Sequence, residues 1–67
     1  MGPRVGTSEY KEQVVTIVTA LGQVPMEPQE LPMFLMMYIT DRTYSRAAIC
    51  QAEKEIKIQR GWNLTGV

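Results

Sequence analysis

The chain contains no histidine and only one cysteine, Cys50, among its 67 residues. A histidine-based catalytic triad, a cysteine–histidine pair and a clustered zinc site all require residues that one copy does not supply. There is also no glycine-rich phosphate loop, and no site for a small-molecule substrate is evident. Glu53 precedes Lys57 by one helical turn, which predicts a surface ion pair rather than catalysis. The sequence therefore predicts a protein that is not an enzyme and has no cofactor or metal.

The chain also has no excess of positive or negative charge. Seven Lys and Arg residues balance seven Asp and Glu residues, and aromatic residues make up 7% of the chain. A balanced chain has no strong overall basic field, so nucleic-acid binding is not its leading prediction. Basic residues are more frequent in the last third, which is therefore the predicted anion-facing part of the chain.

Signals for secretion or membrane insertion are not apparent. A single cysteine forms no internal disulfide, and the chain does not open with a charged and then apolar leader, so we expect a cytoplasmic, intracellular protein. The longest apolar run, residues 31–39, is far shorter than the roughly 20 residues that span a bilayer. We therefore expect no membrane partner.

That apolar run, Leu-Pro-Met-Phe-Leu-Met-Met-Tyr-Ile, is the most informative feature that the sequence does have. If residues 33–39 are helical, their side chains cover every face of the helix instead of one stripe. A domain of about 60 residues buries only roughly 60% of its unfolded-chain surface. We therefore expect one side of this helix to pack on the protein's own fold, and the other to contact a protein partner or a second copy.

A first helix is predicted from the apolar residues at positions 10, 14, 17, 18 and 21, which recur every three or four residues. Ser8 is its expected cap and Gly22 its expected stop. The alternative for residues 13–19 is a strand, because this segment is rich in β-branched residues. The spacing of the apolar residues favours the helix, and the β-branched composition of the segment favours the strand.

Two further helices are predicted. The segment 23–29 contains Pro25 and Pro28 and is expected to be a connector, with Pro32 as the first residue of a helix over 32–40. Ser45 is the expected cap of a third helix, and Gly61 its stop. The segment 56–64 is left open between helix and a short extended tail. The predicted fold is mainly α: a flexible arm over 1–7, and a single three-helix domain over 8–67 with a central helix that is apolar all round.

Two binding functions compete. In the favoured one, a small accessory, regulatory or inhibitory protein binds a protein partner or forms a homodimer, since methionines make an adaptable contact surface and aromatic residues anchor it. The predicted interface consists of Phe34, Met37, Tyr38, Ile58 and Trp62. Ile58 is included because it lies nearly opposite the apolar face of the third helix.

The alternative function is DNA or RNA binding through a helix-turn-helix. Residues 41–49 look like a turn followed by a capped second helix, and the candidate contacts are Arg42, Arg46, Lys57 and Arg60. Two positions depart from the motif. Ile39 stands where a small residue is expected, and Thr43 stands where a glycine is frequent.

Overall fold

The computed structural model describes residues 4–62, which form three α-helices and one short 3-10 helix. Helix α1 spans Ser8–Gly22, α2 spans Leu31–Thr40 and α3 spans Arg46–Arg60, and the 3-10 turn covers Pro28–Glu30. The prediction of a mainly α, three-helix protein is confirmed. Residues 13–19 are helical, so the three-and-four spacing decided this segment and its β-branched composition did not.

Helix α1 begins at Ser8, one residue earlier than a cap at Ser8 would place its start. Its cap is Thr7, whose hydroxyl accepts a hydrogen bond from the backbone N–H of Tyr10 at 3.1 Å and donates one to the carbonyl of Arg4 at 2.8 Å. The predicted cap, Ser8, was therefore wrong because a second hydroxyl residue precedes it. Gly22 is the last helical residue and not the residue beyond the end, since the C-cap is Gln23.

The connector between α1 and α2 contains more structure than its prolines predicted. Pro28 begins a single 3-10 turn, and the backbone N–H of Glu27 donates to the Glu30 side chain at 2.6 Å. This turn leads directly into α2, so Leu31 is the first α-helical residue and Pro32 the second. A proline is tolerated there because the first N–H groups of a helix have no partner within it.

Helix α3 has the termini that the sequence predicted. The Ser45 hydroxyl accepts from the backbone N–H of Ala48 at 3.1 Å, and Gly61 ends the helix in the left-handed conformation at φ 74°. The helix continues through Ile58 to Arg60, so residues 56–60 are not extended. The rest of the predicted tail, residues 63 and 64, lies outside the described residues, as do residues 1–3 of the predicted arm.

A single cluster of buried apolar side chains joins the three helices. It comprises Val14, Ile17 and Leu21 of α1, Leu31 and Leu35 of α2, and Ala48, Ile49, Ala52 and Ile56 of α3. Helix α2 is second along the chain, yet α3 is the helix that packs against both others, most extensively against α1. The small, fully buried Ala48 and Ala52 allow neighbouring helices to approach α3 closely.

Gln13 ties α1 to the connector between α2 and α3. Its side-chain amide donates to the carbonyl of Thr43, and its side-chain oxygen accepts from the backbone N–H of Ser45 at 3.0 Å. Both ends of one amide group are thus used on backbone groups about 30 residues away in sequence. The connector is held against α1 just before α3 begins.

Candidate protein-binding surface

Helix α2 exposes apolar side chains along the side that faces away from the core. We call this side the outer face of α2 and define it by Pro32, Met33, Met36, Met37 and Ile39. The last four are 64%, 54%, 61% and 47% exposed, respectively. Isolated exposed apolar residues are common, but a contiguous set on one helix is typical of an interaction surface.

The opposite side of α2 holds the helix on the protein. Leu31 and Leu35 are buried one turn apart, and Phe34 and Tyr38 are half-buried beside them. The Tyr38 ring meets that of Tyr44 edge-on, with centroids 5.1 Å apart. Partial burial, and next the proximity of Tyr44, raise the pKa of Tyr38 above its ordinary value, so the Tyr38 hydroxyl stays protonated at physiological pH.

A groove runs between α2 and α3 along one edge of the outer face. We call it the α2–α3 groove; it is lined by Pro32, Leu35, Met36 and Ile39 of α2 and by Arg46, Ile49, Cys50 and Glu53 of α3. The buried Leu35 and Ile49 form its floor. Arg46, Cys50 and Glu53 make its α3 wall, which adds one cation, one thiol and one anion to an otherwise apolar site.

The five predicted interface residues differ in how far they are exposed. Met37 is on the outer face of α2, whereas Phe34 and Tyr38 pack partly against the core. Ile58 is 62% exposed on the side of α3 opposite its buried stripe. Their roles in binding stay predictions.

Trp62 lies just after α3 and is half-buried against the core cluster. The guanidinium carbon of Arg60 lies 5.3 Å from the centroid of its ring, within the range of a cation–π contact. The same guanidinium donates to the carbonyls of Leu21 at 2.9 Å and Val24 at 2.7 Å. Arg60 thus satisfies carbonyl groups at the end of α1, where a cation is also favoured by the helix dipole.

The four candidate nucleic-acid contacts differ in whether their charged groups interact with other groups of the protein. Arg42 and Arg46 are exposed. Lys57 lies 3.4 Å from the Glu53 carboxylate, as the one-turn spacing predicted, and Arg60 binds the end of α1. Nucleic-acid binding stays a prediction, with two of its four cations engaged within the molecule.

Between residues 4 and 62, no group of three or more His, Cys, Asp or Glu side chains lies close enough to hold a metal ion. Within the same range, none of the helices has the length and apolar character that crossing a bilayer requires. No family model, curated protein or solved structure matches the chain.

Sequence reasoning missed part of this surface. Met33, Met36 and Ile39 belong to the recognised apolar run, but a helix that is apolar all round carries no periodic signal to show which side faces outward. The groove was missed because it forms only where α2 packs on α3, which the sequence does not show. Gln13 was also missed, because a lone glutamine on a helix does not show that its amide reaches a connector.

Proposed function

We propose that this protein is a small, non-enzymatic binding module whose contact surface is the outer face of α2. The observation that supports the proposal most directly is the exposure of Met33, Met36, Met37 and Ile39 on a helix whose other side is already packed. Covering these side chains removes apolar area from water. Each Å² of apolar area that is covered contributes roughly 25 cal/mol of favourable free energy. The favourable contact is with another protein surface, including that of a second copy.

The side-chain types suit this role. Methionine is unbranched and polarizable, so Met33, Met36 and Met37 adjust to an apolar partner surface without strain. They project from a helix that is anchored by the fully buried Leu31 and by Leu35, which is 3% exposed. Adaptable side chains thus stand on a backbone that need not move when a partner binds.

The test places a charge on the outer face. Met36→Asp and Met37→Asp are compared with the parent by sedimentation equilibrium and by the proteins that each tagged chain retains from a lysate of its source cells. We expect both substitutions to abolish every association that the parent makes, because an unpaired carboxylate is costly to bury in an apolar contact.

The matched control is Val15→Asp, because Val15 is 62% exposed and lies on α1. The control is expected to retain each association. Ile58→Asp tests separately whether the exposed isoleucine of α3 contributes. A parent that associates with nothing, or associations that survive both methionine substitutions, would refute the proposal.

A further inference from the structure

Helix α2 is attached to α1 and α3 by apolar contacts alone. Leu31 and Leu35 are buried in the shared core, and Phe34 and Tyr38 are half-buried beside them. Within residues 4–62, no hydrogen bond or ion pair joins a group of α2 to a group of α1 or α3. Apolar burial is non-directional, so it holds α2 in place without tying any of its polar groups to the other helices.

Helices α1 and α3, which we call the α1–α3 pair, are joined by polar contacts as well as by extensive packing. Where α3 begins, the Gln13 side chain of α1 accepts from the backbone N–H of Ser45 and donates to the carbonyl of Thr43. Where α3 ends, the Arg60 guanidinium donates at 2.9 Å to the carbonyl of Leu21, in the last turn of α1. The α1–α3 pair therefore has attachments that do not depend on α2.

The same polar groups mark the limits of the segment that carries α2. Arg60 also donates to the carbonyl of Val24 at 2.7 Å, just after α1, and Gln13 holds Thr43 just before α3. Residues 25–42 lie between these two fastened points and contain the 3-10 turn and α2. We infer that residues 25–42 form a flap, which undocks from the α1–α3 pair as one unit while the pair keeps its own packing. This inference goes beyond the proposed function, which concerns only the outer face of α2.

The flap has a place to bend at each end. Glu27 is extended at φ −89° and ψ 157°, and Asp41 leaves the helical conformation at φ −82° and ψ 113°. A few residues at element ends are enough to absorb the rotation of a hinged segment. The 3-10 turn moves with α2, because it leads directly into that helix and is closed by the hydrogen bond from the Glu27 N–H to Glu30.

Undocking also unfolds the helix that it releases. A helix of 10 residues is marginal in water without packing, so α2 loses its backbone hydrogen bonds together once its inner side leaves the core. The open flap exposes Phe34 and Tyr38, which the closed form holds partly against the core. It is a minor state of the free protein, and a partner that binds the inner side of α2 would increase its population.

The first test is native-state hydrogen exchange of the parent chain, at a protein concentration that keeps it monomeric and in urea below the unfolding transition. The amides of residues 35–40 should share one opening that occurs at least about tenfold more often than the openings of α1 and α3. Its urea dependence should be smaller than that of global unfolding but not zero, because the flap exposes part of the buried surface. One common opening for all three helices, or no urea dependence in α2, would overturn the inference.

The second test compares a substitution in the α1–α3 pair with one in the flap. Val14 is 5% exposed and lies in a depression lined by residues of α1 and α3 only. Its packing is the same whether the flap is closed or open. Val14→Ala should therefore speed exchange in α1 and α3 by about tenfold and leave α2 within about twofold of the parent.

The matched substitution in the flap is Leu35→Ala. Leu35 is packed only in the closed form, so its truncation should speed exchange in all three helices by the same factor. Faster exchange of α2 in Val14→Ala, by as much as in α1 and α3, would show that the protein opens only as a whole. If Val14→Ala does not fold, the urea series of the parent decides by itself.

Discussion

Helix α2 and the pair formed by α1 and α3 meet the same core in different ways. The 15-residue helices α1 and α3 each have a side-chain cap, from Thr7 and Ser45, and a single buried stripe. Helix α2 has 10 residues, no hydrogen bond from a side-chain cap, and apolar residues on its inner and outer sides. Because α2 is short and has no side-chain cap, its stability depends on packing at Leu31 and Leu35.

This difference shows that the hydrophobicity of a helix does not determine how much of its surface is buried. The most apolar helix of the molecule is the one that leaves the most large apolar side chains exposed, whereas α3 buries Ala48, Ile49, Ala52 and Ile56 within a mainly polar sequence. Amphipathic pattern, and not total hydrophobicity, determines how completely a helix hides its apolar residues. A helix that is apolar all round has surface left for binding.

The largest expected effect comes from the two sides of α2 itself. Leu35→Ala should lower the free energy of unfolding by about 2–5 kcal/mol, because it leaves a cavity at a position that is 3% exposed. Met33→Ala, on the outer face, should change it by less than about 0.5 kcal/mol in the monomer. Urea unfolding at low protein concentration measures both. Equal losses would show that the two sides of α2 do not differ.

A smaller effect is expected where the connector from α2 to α3 is fastened to α1. Gln13→Ala removes the acceptor for the Ser45 N–H and the donor to the Thr43 carbonyl, and should cost about 1–2 kcal/mol. Gln13→Glu is the matched control for the donor, since it keeps the acceptor for the Ser45 N–H but sets a carboxylate oxygen against the Thr43 carbonyl, and it should also lower stability. Amide hydrogen exchange should show faster opening of α2 than of α1 in both variants. No change in stability would mean that the connector is held by packing alone.

The smallest effect concerns the turn that ends α2. The backbone N–H of Thr43 donates to the Asp41 carboxylate at 2.9 Å and its hydroxyl at 2.8 Å, and these bonds lower the pKa of Asp41 below its ordinary value of 3.8. Since the folded pKa is the lower one, the contribution to stability is present at neutral pH. It is lost as the pH falls from the ordinary value through that of the folded state.

The variant Asp41→Asn keeps an acceptor but does not titrate. The stability difference between parent and Asp41→Asn, measured by urea unfolding, should therefore shrink between pH 6 and pH 2. Asp41→Ala removes the acceptor and is the control for loss of the turn. A difference that is constant with pH would show that the carboxylate charge has no part in it.

Much of the fold followed from local patterns. The three-and-four spacing of α1, the Ser45 cap and the Gly61 stop each depend on groups within one or two turns, and each was predicted correctly. The Thr7 cap was missed because Ser8 is an equally good cap in sequence. The 3-10 turn at Pro28 was missed because the two prolines predicted a connector without regular structure.

The candidate site was less predictable, for a physical reason. Which side of α2 faces outward depends on its packing against α3, and nothing in residues 31–39 alternates between polar and apolar. Phe34, Tyr38 and Trp62 were chosen for their size, and the structure places all three partly against the core. The groove beside the outer face was likewise visible only once α3 was packed against α2.

If the outer face of α2 is a contact surface, the parent chain should associate in solution, and its mass there reveals the association. Sedimentation equilibrium over a wide concentration range should show a reversible rise from the monomer mass of 7.6 kDa to twice that value. Met36→Asp should remain at the monomer mass throughout. A dimer that forms equally well with aspartate at position 36 would show that the outer face of α2 is not the contact surface.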